Sequence, residues 1–235
     1  MTTAARTARV LLGAFAASTL VHLAALLTGM TTVAHLTKPA LMPVLAAYML
    51  AAGAPRLLAV ALLFGCGGDT LLQTGDDTLF LVGMGSFAAG HVCYLVLFAR
   101  RGAFPGGPRR SGPLAAVYAA AWLGFVALLW PDLDADLRLP VAAYSLLLTA
   151  TAFAALRPGP WAALGGLLFL LSDSLLATGL AHWQQPPAAQ FWVMLTYTAA
   201  QFALADGVRR AYAGRERTRG AGTTRAYGEV RSTTI

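Results

Sequence analysis

Long apolar stretches, separated by short polar segments, follow one another along the chain. A helix needs about 20 apolar residues to cross a hydrocarbon core roughly 30 Å thick. The stretches are continuous rather than alternating, which is typical of helices and not of membrane-spanning strands. The pattern predicts an all-α, polytopic transmembrane bundle of about eight helices within residues 1–213. The predicted spans are 9–28, 39–53, 56–73, 79–99, 113–130, 139–156, 161–180 and 189–210.

The composition also indicates a membrane protein. Of the 235 residues, 57% are hydrophobic and 11% are charged, and the mean hydropathy is +0.63. A soluble domain carries roughly 25% charged residues, so this chain has too few charges to cover a soluble globule. These values exclude a disordered chain, a disulfide scaffold and a soluble enzyme. Cys66 and Cys93 lie in apolar stretches, where they act as small hydrophobic side chains.

Positive charge is distributed unevenly over the predicted loops. If both termini are cytoplasmic, 15 of the 17 basic residues lie inside, and Lys38 and Arg138 lie outside. This excess predicts an N-in, C-in arrangement, and the Arg- and Ala-rich composition suggests a bacterial cytoplasmic membrane. A cleaved signal peptide, which would leave seven helices, is the alternative. The Arg-rich segment 214–235 lacks periodicity and is predicted to be a disordered cytoplasmic tail.

Two aspartates, Asp69 and Asp173, lie inside otherwise apolar helices. An ionised carboxylate there costs about 2.5 to 3.5 kcal/mol on insertion scales. Such a residue lines a wet cavity, is protonated, or pairs with a cation or a donor; a polar contact between helices is the alternative. The aspartates lie 104 positions apart in similar segments, 68–72 and 172–176, which suggests a parallel internal repeat of four helices. Chance recurrence of small and apolar residues would explain the same pattern.

Two further polar residues are candidates for chemistry with the aspartates. His91 lies in mid-helix with Tyr94 on the same face, and one histidine with two aspartates is able to transfer protons near neutral pH. A hydrogen-bonded packing residue is the alternative for His91. Lys38 is the only lysine in the chain and lies at the predicted outer end of the second helix. It is either a functional ammonium group or an interfacial cation.

Other kinds of site are not predicted. We find no Cys or His cluster at zinc spacing, no serine nucleophile elbow and no basic-aromatic patch for nucleic acid. His22, His35 and His182 lie near predicted outer helix ends and are interpreted as interfacial residues. An enzyme built from this chain would use acid and base groups, so we expect no metal ion, no cofactor and no nucleic-acid partner. The sequence leaves the oligomeric state open.

Motifs in a fixed order extend over nearly the whole chain. They are Thr37-Lys38-Pro39, Met42-Pro43-Val44-Leu45, Phe64 to Asp69 with Leu71-Leu72, Phe80, Gly83, Phe87, His91, Tyr94, Gly166, Phe169, Ser172-Asp173, Ala177, Tyr197, Gln201 and Gly207. In this order and spacing the chain resembles the lysoplasmalogenase (YhhN-type) family of membrane proteins. It departs from the family pattern at Gly65, where the family tends to have Ser.

The resemblance implies hydrolysis of the vinyl ether bond of a lysophospholipid, releasing a fatty aldehyde and glycerophosphoethanolamine or glycerophosphocholine. Acid-assisted cleavage passes through an oxocarbenium ion and requires a carboxylic acid and a carboxylate, as in a glycosidase. We hypothesise that Asp69 and Asp173 share these roles in either order. His91 with Tyr94 would orient water or relay the proton, and Lys38 would hold the lipid phosphate. The implied substrate-binding residues are Lys38, Tyr94, Ser172, Tyr197 and Gln201.

Three other functions remain open. A transporter or lipid flippase would also place charges in mid-membrane on repeated helices, although no proline interrupts the helices near the two aspartates. A non-catalytic membrane module would use the aspartates only to hold helices together. Within the enzymes, the alternative is a hydrolase of another ether lipid or lysolipid.

Overall fold

The computed structural model describes residues 3–100 and 108–232, with side chains for 3–100 and 111–214. This part of the chain forms eight α-helices and no strand, which confirms the predicted all-α class. The helices are α1 (Thr3–Leu27), α2 (Thr31–Ala51), α3 (Arg56–Leu72), α4 (Asp77–Ala99), α5 (Pro108–Leu129), α6 (Ala135–Ala154), α7 (Pro160–Leu180) and α8 (Ala189–Ser232).

Six of these helices, α1, α2 and α4 to α7, are long and apolar enough to cross a membrane. The protein is therefore an integral membrane protein. Helix α3 has 17 residues, at the lower end of spanning length, and the side chains of α8 are described only as far as Gly214. Three points stay predictions. They are that α3 and α8 span the membrane, that both termini are cytoplasmic, and that segment 214–235 is a disordered tail.

Among the helix starts, the largest departure from the prediction is at α2, which begins at Thr31 rather than at residue 39. Lys38 consequently lies about two turns inside α2 and not at its outer end. The first two turns of α2 are rich in polar residues, and part of this segment contacts α1. The Thr37 hydroxyl, for example, lies 2.8 Å from Nδ1 of His22 on α1. Because Thr31, Thr32 and His35 are polar, an apolar stretch read along the sequence does not include these turns.

Neighbouring helices pack in pairs, α1 with α2, α3 with α4 and α7 with α8. Helix α2 also packs on α3, and α6 packs on both α4 and α7, which connects the pairs. In the described part of the chain α5 packs mainly on α6, at the edge of the bundle. Asp69 and Asp173 each lie 13 residues after the first residue of their helix, about 20 Å along the axis at 1.5 Å per residue. The internal repeat itself stays a prediction.

The contact between α7 and α8 depends on a glycine. A Cβ atom on Gly165 would lie 2.5 Å from the backbone nitrogen of Leu204 and 3.0 Å from the carbonyl oxygen of Ala200. These neighbours are backbone atoms of a packed helix, so they cannot move aside as a flexible side chain would. Overpacking of this kind typically costs about 1 to 3 kcal/mol.

We expect Gly165→Ala to lower the thermal midpoint of the purified protein in detergent, because α7 and α8 would be forced apart. Gly124→Ala on α5 is the matched control, since a Cβ there has no neighbour within 4 Å. Alanine is favoured over glycine inside a helix by roughly 0.5 to 1 kcal/mol, so the control should melt at or above the wild-type temperature. Equal melting of both variants would contradict the close packing of α7 on α8.

Candidate active site

A cavity of about 750 Å³ lies among all eight helices, toward the end of the bundle where α1 ends and α2 begins. Both predicted aspartates, Asp69 on α3 and Asp173 on α7, line it. Most of the wall is apolar, with side chains such as Phe125 and Leu148. Small-molecule sites commonly have this size and this mixture of an apolar wall with few polar groups. The fold thus brings the two intramembrane carboxyl groups to one largely apolar space.

Asp69 is paired with a tyrosine and with a cation. Its side chain is buried, and the hydroxyl of Tyr197 on α8 donates a hydrogen bond to Oδ2 at 2.7 Å. Nζ of Lys38 on α2 lies 3.9 Å from the other oxygen, Oδ1. Each oxygen of Asp69 therefore faces either a donor or a positive charge.

Two further predicted residues hold Tyr197 from behind. The amide of Gln201 donates to the Tyr197 hydroxyl oxygen at 3.5 Å, and the hydroxyl of Tyr94 donates to Oε1 of Gln201 at 2.9 Å. Tyr94 and Gln201 are buried and lie behind the cavity wall. They act on the site through Tyr197. A Cβ on Gly65 would lie 3.2 Å from the Tyr197 hydroxyl, so the glycine leaves room for this arrangement.

Asp173 is held by a different tyrosine. The hydroxyl of Tyr144 on α6 donates to Oδ2 of Asp173 at 2.5 Å. Nε2 of His91 on α4 lies 3.4 Å from the same hydroxyl oxygen. Because the one hydroxyl proton of Tyr144 points to Asp173, His91 is the donor in this second contact. The His91 ring is buried against Phe169, with 4.8 Å between ring centroids, and it contacts Tyr144 rather than lining the cavity.

Tyr144 was not found by analysis of the sequence. A tyrosine in an apolar helix carries no charge, and its cost in the membrane is small enough that a packing or interfacial position explains it equally well. The only indication in the sequence was the pair of hydroxyl residues Ser145 and Thr149 near Tyr144. They make one side of α6 more polar than the rest of the helix. That pattern marks a polar face without indicating which residue it meets.

Lys38 and Ser172 both line the cavity, in different ways. The Lys38 side chain is 19% exposed and is the cation next to Asp69. The hydroxyl of Ser172 donates to the carbonyl oxygen of Val193 on α8 at 3.1 Å. Its proton is therefore used in a contact between α7 and α8, while its neighbour Asp173 faces the cavity.

The histidines outside the catalytic prediction separate into two groups. His35 and His182 are exposed. His22 is 1% exposed and lines the cavity, so its interpretation as an interfacial residue was wrong. The cause is the early start of α2, whose first turns cover the ring and place the Thr37 hydroxyl 2.8 Å from Nδ1.

Fold and site together define an integral membrane protein of the helical class, with two carboxyl groups on the wall of one cavity between the helices. The chain belongs to the YhhN family, whose sequence profile matches residues 33–208. This match covers the residues of both aspartate clusters, from Lys38 to Gln201.

Two named relatives are similar to this chain over part of their length. The chain is 37% identical over 150 residues to lysoplasmalogenase TMEM86B of Homo sapiens, which is 63% of this chain and 62% of the relative. It is 33% identical over 160 residues to a lysoplasmalogenase of Mycobacterium bovis, 65% of this chain and 60% of the relative. The matched regions thus span about three fifths of the relatives' length. No solved structure matches the chain.

Proposed function

We propose that this protein hydrolyses the vinyl ether bond of lysoplasmalogens and releases a fatty aldehyde with glycerophosphoethanolamine or glycerophosphocholine. The proposal is supported by membership of the YhhN family and by relatives that are named lysoplasmalogenases. The observation that carries it is the pair of aspartates, each hydrogen-bonded by a tyrosine, on the wall of one apolar cavity. This arrangement supplies two groups that exchange protons next to a space that accepts a hydrocarbon chain.

The reaction needs one proton donor, one proton acceptor and water. A carboxylic acid protonates the vinyl carbon that does not carry oxygen, and the double-bond electrons form the new C–H bond. The resulting oxocarbenium ion is stabilised by a nearby carboxylate, which also accepts a proton from the attacking water. The hemiacetal then collapses to the aldehyde and a glycerol hydroxyl, and both carboxyl groups return to their starting states. No metal ion or cofactor takes part in these steps.

The shape of the cavity suggests how the lipid lies. One face of α5, with Tyr118, Trp122 and Phe125 at helical spacing, lines the cavity. The indole N–H of Trp122 donates to the Ser145 hydroxyl at 3.0 Å. This N–H group is therefore hydrogen-bonded within the protein, and the ring presents an apolar surface to the cavity. The alkenyl chain would lie along α5. Lys38 would hold the phosphate, and the vinyl ether would then lie between the two aspartates.

The orientation in the membrane follows from the charge distribution. With both termini in the cytoplasm, most of the arginines lie inside. The cavity would then be in the outer half of a bacterial cytoplasmic membrane, because most of its residues come from the ends of α1, α3, α5 and α7 and from the starts of α2, α4 and α8. A lysolipid would enter sideways from the outer leaflet.

The first test is aldehyde release from a lysoplasmalogen by the purified protein in detergent, with and without a chelator. The matched control substrate is the lysolipid with a saturated ether of the same chain length, which has no double bond to protonate. We expect aldehyde from the vinyl ether only, unaffected by chelation. Folded protein that releases no aldehyde would contradict the proposal and favour transport or hydrolysis of another lipid.

A further inference from the structure

The two aspartates of the cavity have different electrostatic surroundings. Asp69 has the ammonium of Lys38 at 3.9 Å and the hydroxyl of Tyr197 at 2.7 Å. Asp173 has the hydroxyl of Tyr144 and, within the described residues, no ion pair. A buried carboxylate is stable when a cation and donors surround it, and an unpaired one favours its neutral form.

His91, the hydrogen-bond partner of Tyr144, does not place a positive charge near Asp173. Nε2 of His91 lies 3.4 Å from the Tyr144 hydroxyl oxygen, and Nδ1 is buried without a hydrogen-bond partner in the described residues. A proton on Nε2 has a partner and a proton on Nδ1 has none, so Nε2 is the protonated nitrogen and donates to Tyr144. A doubly protonated ring would therefore bury an unpaired N–H group, which is costly. The His91 ring is accordingly neutral, with its single proton on Nε2. The negative charge on Asp69, across the same cavity, further favours a neutral Asp173.

We propose that Asp173 is the protonated acid, that Asp69 is the carboxylate, and that Tyr144 determines which oxygen of Asp173 carries the proton. The assignment of acid and base rests on the proposed function, whereas the two protonation states do not. Since the Tyr144 hydroxyl donates to Oδ2, this oxygen is the carbonyl oxygen of the neutral acid, and the proton is on Oδ1. Tyr144 is a positioning residue, and the hydrogen bond from His91 fixes its hydroxyl.

The proton balance of the reaction follows from this assignment. Asp173 gives its Oδ1 proton to the vinyl carbon and becomes a carboxylate. Asp69 takes a proton from the attacking water and passes it to the departing glycerol oxygen. The hydroxyl proton of the hemiacetal returns to Asp173 as the aldehyde forms. The cycle thus begins and ends with Asp173 neutral and Asp69 ionised.

The test is infrared spectroscopy of the purified protein at neutral pH, in a detergent that has no carbonyl group. A protonated carboxyl group absorbs at a higher wavenumber than an ionised one, and loss of a hydrogen bond to its carbonyl oxygen raises that wavenumber further. The decisive pair is Tyr144→Phe and Tyr197→Phe, since each removes one tyrosine hydroxyl and keeps both aspartates. Asp173→Asn identifies the source of the band.

We expect one protonated-carboxyl band in the wild type, an upward shift in Tyr144→Phe, no shift in Tyr197→Phe, and loss of the band in Asp173→Asn. The proposal is overturned by a wild-type spectrum without this band, by a shift in Tyr197→Phe, or by a band that stays unchanged in Tyr144→Phe. No substrate is present, so a protein that hydrolyses no lysoplasmalogen would still give a result on the two protonation states.

Discussion

Asp69→Asn and Asp173→Asn are each expected to lower kcat/KM for aldehyde release by roughly 10²- to 10⁴-fold, the usual contribution of a general acid or base. Asparagine has nearly the same shape as aspartate, and its carbonyl oxygen still accepts the tyrosine hydrogen bond. It neither gives nor takes a proton at the working pH. The measurement is steady-state aldehyde release, per folded molecule, from a lysoplasmalogen in detergent.

The matched control for these substitutions is Asp206→Asn. Asp206 is also a buried aspartate, 1% exposed, but it is ion-paired with Arg209 and Arg210 near the other end of the bundle. Its substitution removes a buried carboxylate without touching the cavity, so the surviving folded protein should keep its activity. Wild-type activity in either cavity variant would remove that aspartate from the mechanism.

The double variant Asp69→Asn with Asp173→Asn gives a further check on the mechanism. If the two groups serve one reaction, the activity of the double variant should be only slightly below that of the less active single variant. The effects of substituting residues that act as a unit on kcat/KM are not additive. If the aspartates only hold helices together, the variants would instead lower the thermal midpoint and leave lipid substrates unchanged.

Lys38→Met is expected to lower kcat/KM by roughly 10²-fold. Hydrogen bonds and contacts to charged groups contribute about 1.5 to 3 kcal/mol each, and 1.36 kcal/mol is a tenfold effect on a rate. Lys38 lies 3.9 Å from Asp69 on the cavity wall, so its removal takes away both the cation beside the carboxylate and the proposed phosphate contact. Lys38→Arg keeps the charge with a different shape and should retain part of the activity.

The separate effects on KM and kcat distinguish the two roles of Lys38. Loss of phosphate binding alone would raise KM and leave kcat unchanged. Loss of the charge beside Asp69 would also lower kcat, and we expect both changes. Arg138→Met is the control, since Arg138 is the other basic residue on the predicted outer side and its side chain instead contacts the Leu133 carbonyl and the Trp130 ring. Unchanged kinetics in Lys38→Met would favour the interpretation of Lys38 as an interfacial cation.

Much of the helical architecture was predictable because the membrane restricts what a sequence can do. Apolar stretches of spanning length predict helices, and an ionisable residue inside one is rare enough to draw attention. Asp69 and Asp173 were therefore identifiable from the sequence, and the structure brings both to one cavity. The start of α2 was not predictable in the same way, because its first turns are polar and lie outside any apolar stretch.

The partners of the predicted residues depend on contacts between distant parts of the chain. Tyr197 hydrogen-bonds to Asp69, which lies 128 positions away in the sequence, and Tyr94 hydrogen-bonds to Gln201, 107 positions away. Periodicity within one helix reports which face is polar and is silent about which other helix that face meets. For this reason Tyr144 was missed, and Tyr94 was grouped with His91 although its hydrogen bond goes to Gln201.

The sequence by itself determined the class of protein, the number of helices and the two aspartates, because the costs that control these features are local to each helix. Only the tertiary structure decided that Lys38 faces Asp69, that Tyr144 on α6 holds Asp173, and that His22 is buried. These contacts arise from the packing of helices against one another, and the free energy of packing depends on the shapes of both surfaces, which no single stretch of sequence contains.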